Sequence, residues 1–168
     1  MVKGIVMDTA QDDSMVDRLL SLKRFIDQLI SVAFTKDTVA VFYEGNQSNI
    51  NENNTSATRR RPASNREFEY AAIDAFSSGF KSRKNKPAEM IAKHLDRAMR
   101  KGQRGKKDED FQAELDAVLG LYRFTDDKDV FRTFYHRALA KRLLLAKSAS
   151  DDFEKAMLKK LKESEAVD

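Results

Sequence analysis

The sequence predicts an all-α protein built as a helical bundle, and three observations carry that prediction. Apolar residues recur at steps of three and four along six stretches, the spacing that gathers them on one face of an α-helix. The 168 residues include only two prolines and six glycines, four of those glycines between Gly79 and Gly120, so long stretches run without a turn signal. A composition 41% apolar and 35% charged suffices to bury one sizeable core, or two small ones, under a charged surface.

The first helix spans Met15 to Ala33, with Met15, Leu19, Leu22, Ile26, Leu29, Ile30 and Ala33 inward and Asp12, Asp13 or Ser14 available as its cap. A second, Arg66 to Lys81, turns Phe68, Ala72, Ile73, Phe76 and Phe80 to one side. Pro87 suits the first position of a third helix, which Met90, Ile91, Leu95, Ala98 and Met99 line and Gly102 and Gly105 end. The fourth starts near Asp108 with Phe111, Leu115, Val118 and Tyr122 inward, and its opening Asp108-Glu109-Asp110 complements the helix dipole. From Lys128 to Ala146 a fifth helix places Val130, Phe131, Phe134, Tyr135, Ala138, Leu139 and Leu143 on one broad face. Ser148 or Ser150 then begins a sixth, carrying Phe153, Met157, Leu158 and Leu161. The Asp pairs at 12–13, 126–127 and 151–152 fall where helices start and read as caps.

One region departs from this pattern. Between residues 38 and 65 a short apolar run gives way to about twenty residues of Asn, Ser, Thr and Arg, too polar to offset their ordering entropy, which reads as a disordered inserted loop. Its Arg59-Arg60-Arg61-Pro62 is a weak match to a nuclear-import patch.

The formal charge of +4 is unevenly spread. Residues 81–107 carry 11 basic and 2 acidic side chains, whereas both flanking regions are slightly acidic. Arg97, Arg100, Lys101, Arg104, Lys106 and Lys107 form an acid-free cluster around two glycines. It suits an acidic partner, whether nucleic acid, membrane headgroups or an acidic peptide, or else is a solvated loop between helices. As a nucleic-acid module, the alternative reading, it would bind phosphates nonspecifically, because Gln103 is the only side chain in the block suited to base contact.

The chemical inventory is thin. Without cysteine there is no disulfide, thiolate zinc site or Cys nucleophile. His94 and His136 belong to no metal-binding pair and read as rim or surface residues. No phosphate loop, nucleophile elbow or kinase signature appears, and the Asp clusters lack calcium-loop spacing. No apolar run reaches the roughly 18 residues of a membrane span. The expectation is a soluble intracellular protein that is not an enzyme, with no cofactor, no metal, no membrane and no small-molecule substrate.

The run from Phe124 to Lys162 resembles the cullin family. The resemblance rests on Lys128-Asp-Val-Phe131, Phe134-Tyr135, Leu139-Ala-Lys-Arg-Leu143, Lys147-Ser-Ala-Ser150 and Met157-Leu-Lys-Lys-Leu161. Asn85-Lys-Pro-Ala-Glu-Met-Ile-Ala-Lys-His-Leu-Asp96 is similar to the type-four cullins, and Gly4-Ile-Val and Met15-Val-Asp-Arg-Leu-Leu-Ser-Leu-Lys23 extend the likeness towards the N-terminus. The resemblance implies a non-catalytic scaffold segment of a ubiquitin ligase, found in cytoplasm and nucleus, with a RING subunit, a conjugating enzyme and an adaptor as partners. It divides the chain into the end of a third helical repeat over 1–83, a four-helix bundle over 85–163 and a divergent tail over 164–168. Phe131, Phe134, Tyr135, Leu139, Leu143, Met157 and Leu161 are then the bundle core. Arg100 and Lys101, with Arg104, Lys106 and Lys107 nearby, are then the surface that attracts an acidic tail of the conjugating enzyme. Residues 38–65 have no counterpart in the family pattern and read as an insertion or a retained intron. The α/β, winged-helix and adaptor-binding regions of the family are expected to be missing from this chain.

Overall fold

A computed structural model describes residues 1–33, 63–102 and 107–165. Among them every regular element is helical. The chain runs through α1 (Val2–Met7), a 3-10 segment (Thr9–Ser14), α2 (Met15–Ala33), α3 (Ala63–Lys81), α4 (Lys86–Lys101), α5 (Asp108–Tyr122), α6 (Lys128–Leu144) and α7 (Asp151–Glu165).

One continuous apolar core joins these helices. Val2 and Val6 of α1, Met15, Val16, Leu19, Leu20 and Leu22 of α2, and Phe76 and Phe80 of α3 form its N-terminal part. Met90, Ile91, Leu95 and Met99 of α4, Phe111, Leu115, Val118, Leu121 and Tyr122 of α5, Phe131 and Tyr135 of α6, and Met157 and Leu161 of α7 continue it. Aromatic rings join the parts. Phe76 stacks on Phe124 of the α5–α6 link at 5.1 Å between centroids, Tyr122 lies 4.4 Å from Phe131, and Phe111 meets Phe153 edge-on at 4.9 Å.

The most extensive helix contact is between α4 and α6, which run parallel. At their starts the Asn85 backbone N–H donates to Asp127 Oδ2 at 2.7 Å, and at their ends the Ala149 N–H donates to the Met99 carbonyl at 3.1 Å. α5 is the antiparallel return that joins them along the chain, so the ends of α4 and α6 lie at one end of the bundle with the starts of α5 and α7. At the other side α1 crosses α3 so closely that a Cβ added at Gly79 would lie 2.9 Å from Val2 Cβ and closer still to Val2 Cγ1. Arg83 fastens this corner: its guanidinium pairs through both Nη atoms with the Asp12 carboxylate, and Nη1 also donates to the Val6 carbonyl at 3.3 Å.

Several expectations are corrected. α1 has no counterpart among the six expected helices, because six residues containing Gly4 are too short to display a period. α3 begins at Ala63, and of the stretch expected as an inserted loop residues 38–62, with Arg59 to Pro62, lie outside the described residues. α7 runs through Glu165. Leu29, Phe68 and Ile73, expected inward, are about half exposed, as is Phe25, because no described helix covers that end of α2 and α3. Two of the Asp pairs act otherwise than as caps: Asp12 is taken by Arg83, and Asp127, at the N-cap position of α6, accepts from Asn85 and makes no cap hydrogen bond.

Of the residues named as bundle core, Phe131, Tyr135, Met157 and Leu161 are buried, and Phe134 and Leu139 pack half-buried against them. Leu143 is a correction, because it is 51% exposed. The inward position of that last turn belongs to Arg142, seven residues and two helical turns after Tyr135, and a periodicity read on apolar residues alone passes over an arginine.

Candidate docking surface

The basic block of the sequence occupies the end of α4 and the start of α5. Arg100 is half-buried, and its Nε donates to Asp96 Oδ2 at 2.9 Å, one turn back on α4. Lys101, the last residue of α4, is exposed, as is Lys107 at the N-cap position of α5. Arg104 and Lys106 lie outside the described residues. Arg97 Nη2 donates to the Asp13 carbonyl at 3.0 Å, which ties it to the N-terminal part. Asp108, Glu109 and Asp110 follow Lys107 directly, so the block that is free of acids along the sequence meets carboxylates in space.

Beneath this surface lies a buried ion-pair network. Arg142 is fully buried; its Nε and Nη2 donate to Glu154 Oε1 and Oε2 at 2.7 and 2.9 Å, and its Nη1 donates to Asp96 Oδ1 at 2.6 Å. Ser148 Oγ donates to Glu154 Oε1 at 2.8 Å. The guanidinium thus links α6 to α4 and α7, and Glu154 carries the network on to the turn before α7. Burial alone would lower the pKa of Arg142, but the bonds to Glu154 and Asp96 outweigh it and raise the value. The Arg142 guanidinium also lies 5.7 Å from the centre of the Tyr135 ring. The Tyr135 hydroxyl is buried without a hydrogen-bond partner among the described residues, and burial pushes its pKa up to about 12.

His94, expected at the rim or surface, is buried instead, while His136 is exposed. His94 lies in a shallow cleft of about 180 Å³ lined by Asp17, Arg97, Ala98, Lys101 and Glu114, with its Nδ1 3.8 Å from Asp17 Oδ1. Burial lowers its pKa, and Arg97 and Lys101 act in the same direction against Asp17 and Glu114. Among the described residues no group of His, Asp and Glu could hold a metal ion, and no helix is long and apolar enough to cross a membrane.

The structure also brings to this end of the bundle two cations that a linear charge count separates from the block. Lys141 in the last turn of α6 and Lys147 in the following turn are both exposed. A count by segment misses them because α4 and α6 are parallel and about forty residues apart in sequence. The only signal in the sequence was Lys141-Arg142 at the end of a helix. The surface as a whole offers charge and a rigid backing to a partner.

A family model for the cullin alpha solenoid domain matches residues 1–166. The chain is 38% identical to human Cullin-4A over 159 residues, which covers 95% of this chain and 17% of that protein. It is 30% identical to Dictyostelium discoideum Cullin-4 over 161 residues, with the same shares of 95% and 17%. It is 32% identical to Caenorhabditis elegans Cullin-3 over 149 residues, 89% of this chain and 15% of that one. The chain therefore spans less than a fifth of the length of these relatives.

Proposed function

The chain belongs to the cullin family, and on that premise we propose that it is a non-catalytic scaffold segment of a cullin-RING ubiquitin ligase acting in ubiquitin-dependent protein degradation. The observation that carries this reading is the family match over residues 1–166. In this reading residues 1–83 are the end of a helical repeat and residues 85–163 a four-helix bundle. The RING subunit, the conjugating enzyme and the adaptor are the partners of the ligase as a whole, in cytoplasm and nucleus. The close parallel packing of α4 on α6 and the clamp on Arg142 support it, since a scaffold must hold its partners at a fixed separation and close-packed interiors transmit strain.

Within that scaffold Arg100, Lys101, Arg104, Lys106 and Lys107 are the contact for an acidic tail of the conjugating enzyme. Charged contacts at an interface steer encounter more than they add affinity, and salt within the physiological range screens them over about 8 Å. The test is binding of an acidic tail peptide from a conjugating enzyme to this chain at low salt, with Arg100, Lys101 and Arg104 each reversed to Glu. We expect roughly tenfold weaker binding by the triple variant, and a loss of wild-type binding as salt rises. Unchanged binding in the variant would overturn the assignment.

A further inference from the structure

The last turn of α6 ends in three consecutive exposed leucines. Leu143, Leu144 and Leu145 are 51%, 85% and 50% exposed. A single exposed leucine is ordinary. Three in a row on an ordered element raise a different expectation, since runs of exposed apolar residues are avoided unless they have a use.

This turn is held firmly. Its Leu145 and Lys147 N–H groups donate to the carbonyls of Lys141 and Arg142 at 3.2 and 2.8 Å, and Ala146 closes it with a left-handed φ of 48°. From below, Arg142 is fixed by Glu154 and Asp96, and Ala149 is tied to Met99. The leucines are therefore presented in one geometry before any partner arrives, which removes part of the ordering cost of binding.

The charges around the turn indicate what it fits. Arg137, Lys141 and Leu144 are spaced by four and three along α6 and form one exposed stripe, which Lys147 extends past the helix end. Among the described residues Arg137, Lys141 and Lys147 make no ion pair, in contrast to Lys23, Lys93 and Lys160, which each do. The exposed carboxylates of Asp151 and Asp152 begin α7 on the far side of the turn, so an acidic partner is favoured along α6 and disfavoured across α7. We propose that the Leu143–Leu145 turn, with Arg137, Lys141 and Lys147, is a docking surface for a protein segment whose acidic side chains flank apolar ones, such as an acidic amphipathic helix laid along α6. Leucine side chains supply the buried contact and the flanking cations supply register and approach.

The proposed contact uses other residues than the one assigned to Arg100, Lys101 and Arg104, and separate variants test it. Two fluorescein-labelled peptides of equal length and net negative charge serve as probes: one of Asp, Glu and Ser only, the other with Leu at helical spacing among the same acids. Anisotropy with the 168-residue chain should show the leucine-bearing peptide binding at least about tenfold tighter, the gain from burying one or two leucines. Leu144→Ser should abolish that preference, with Leu144→Gln as a second variant and helical circular dichroism as the check on folding. Lys141→Glu with Lys147→Glu should weaken both peptides, while reversal of Arg100 and Lys101 should leave the preference for leucine intact. Equal affinity for the two peptides, or a preference that survives Leu144→Ser, would sink the proposal. So would Leu144-dependent binding to phosphatidylserine vesicles without any to the peptides, which would make the surface a membrane contact.

Discussion

Arg142 shows how one side chain can set local electrostatics while leaving no trace in a hydrophobic pattern. Replacing it with Met leaves Glu154 and Asp96 without their buried counter-charge, and truncating one side of a buried pair costs about 3–5 kcal/mol. Urea denaturation of Arg142→Met should show a loss of that size, and pairing it with Glu154→Leu should recover much of it, because the uncompensated charge is then gone. His94 makes a pH-dependent prediction. Its folded pKa lies below the ordinary 6.5, chiefly because burial disfavours the imidazolium. As pH falls through 6.5 the unfolded chain therefore binds a proton that the folded chain refuses, and stability is lost until the pH passes below the folded pKa. Denaturation midpoints should decline between about pH 7 and pH 5, and His94→Gln should flatten that decline. At this scale the sequence was partly legible. Arg100, Lys101 and Lys107 stood out as a linear block, but the burial of His94 and Arg142 depends on helices that meet only in three dimensions.

The elements with strong punctuation were the most legible. Pro87 sits in the first turn of α4, and Gly102 ends it with a φ of 60°, packed against Ala149. Two of the Asp pairs misled because a carboxylate near a helix start is equally able to reach across to another element, as Asp12 reaches Arg83 and Asp127 reaches Asn85. The junction of α1 with α3 went unseen, since nothing local marks Gly79 as a crossing point. Gly79→Ala should force Val2 and α1 away and cost roughly 1–3 kcal/mol, as overpacking does. Adding Val2→Ala should restore part of that loss, since the two sites share one contact and their effects should not add. Thermal melts of the two single variants and the double would measure the coupling.

At the scale of the whole molecule, the core is continuous, but its apolar surface is not fully covered. Phe25 and Leu29 on α2 and Ile73 on α3 are about half exposed, on the same two helices. The helical period predicted Leu29 and Ile73 inward, and the described residues supply no helix to meet that face. Such a patch favours association, so the isolated chain should show concentration-dependent light scattering. Phe25→Ser with Ile73→Ser should reduce the scattering while shifting the melting temperature little. The long-range contacts of Arg83 have a kinetic consequence. They reach 77 and 71 residues back to Val6 and Asp12, whereas the Arg142 clamp spans 46 residues to Asp96 and 12 to Glu154. Loop-closure entropy must be met before a distant contact returns anything, so the bundle end is expected to assemble early and the α1 corner to dock late. Stopped-flow measurements should then find that Gly79→Ala mainly accelerates unfolding, whereas Arg142→Met slows refolding.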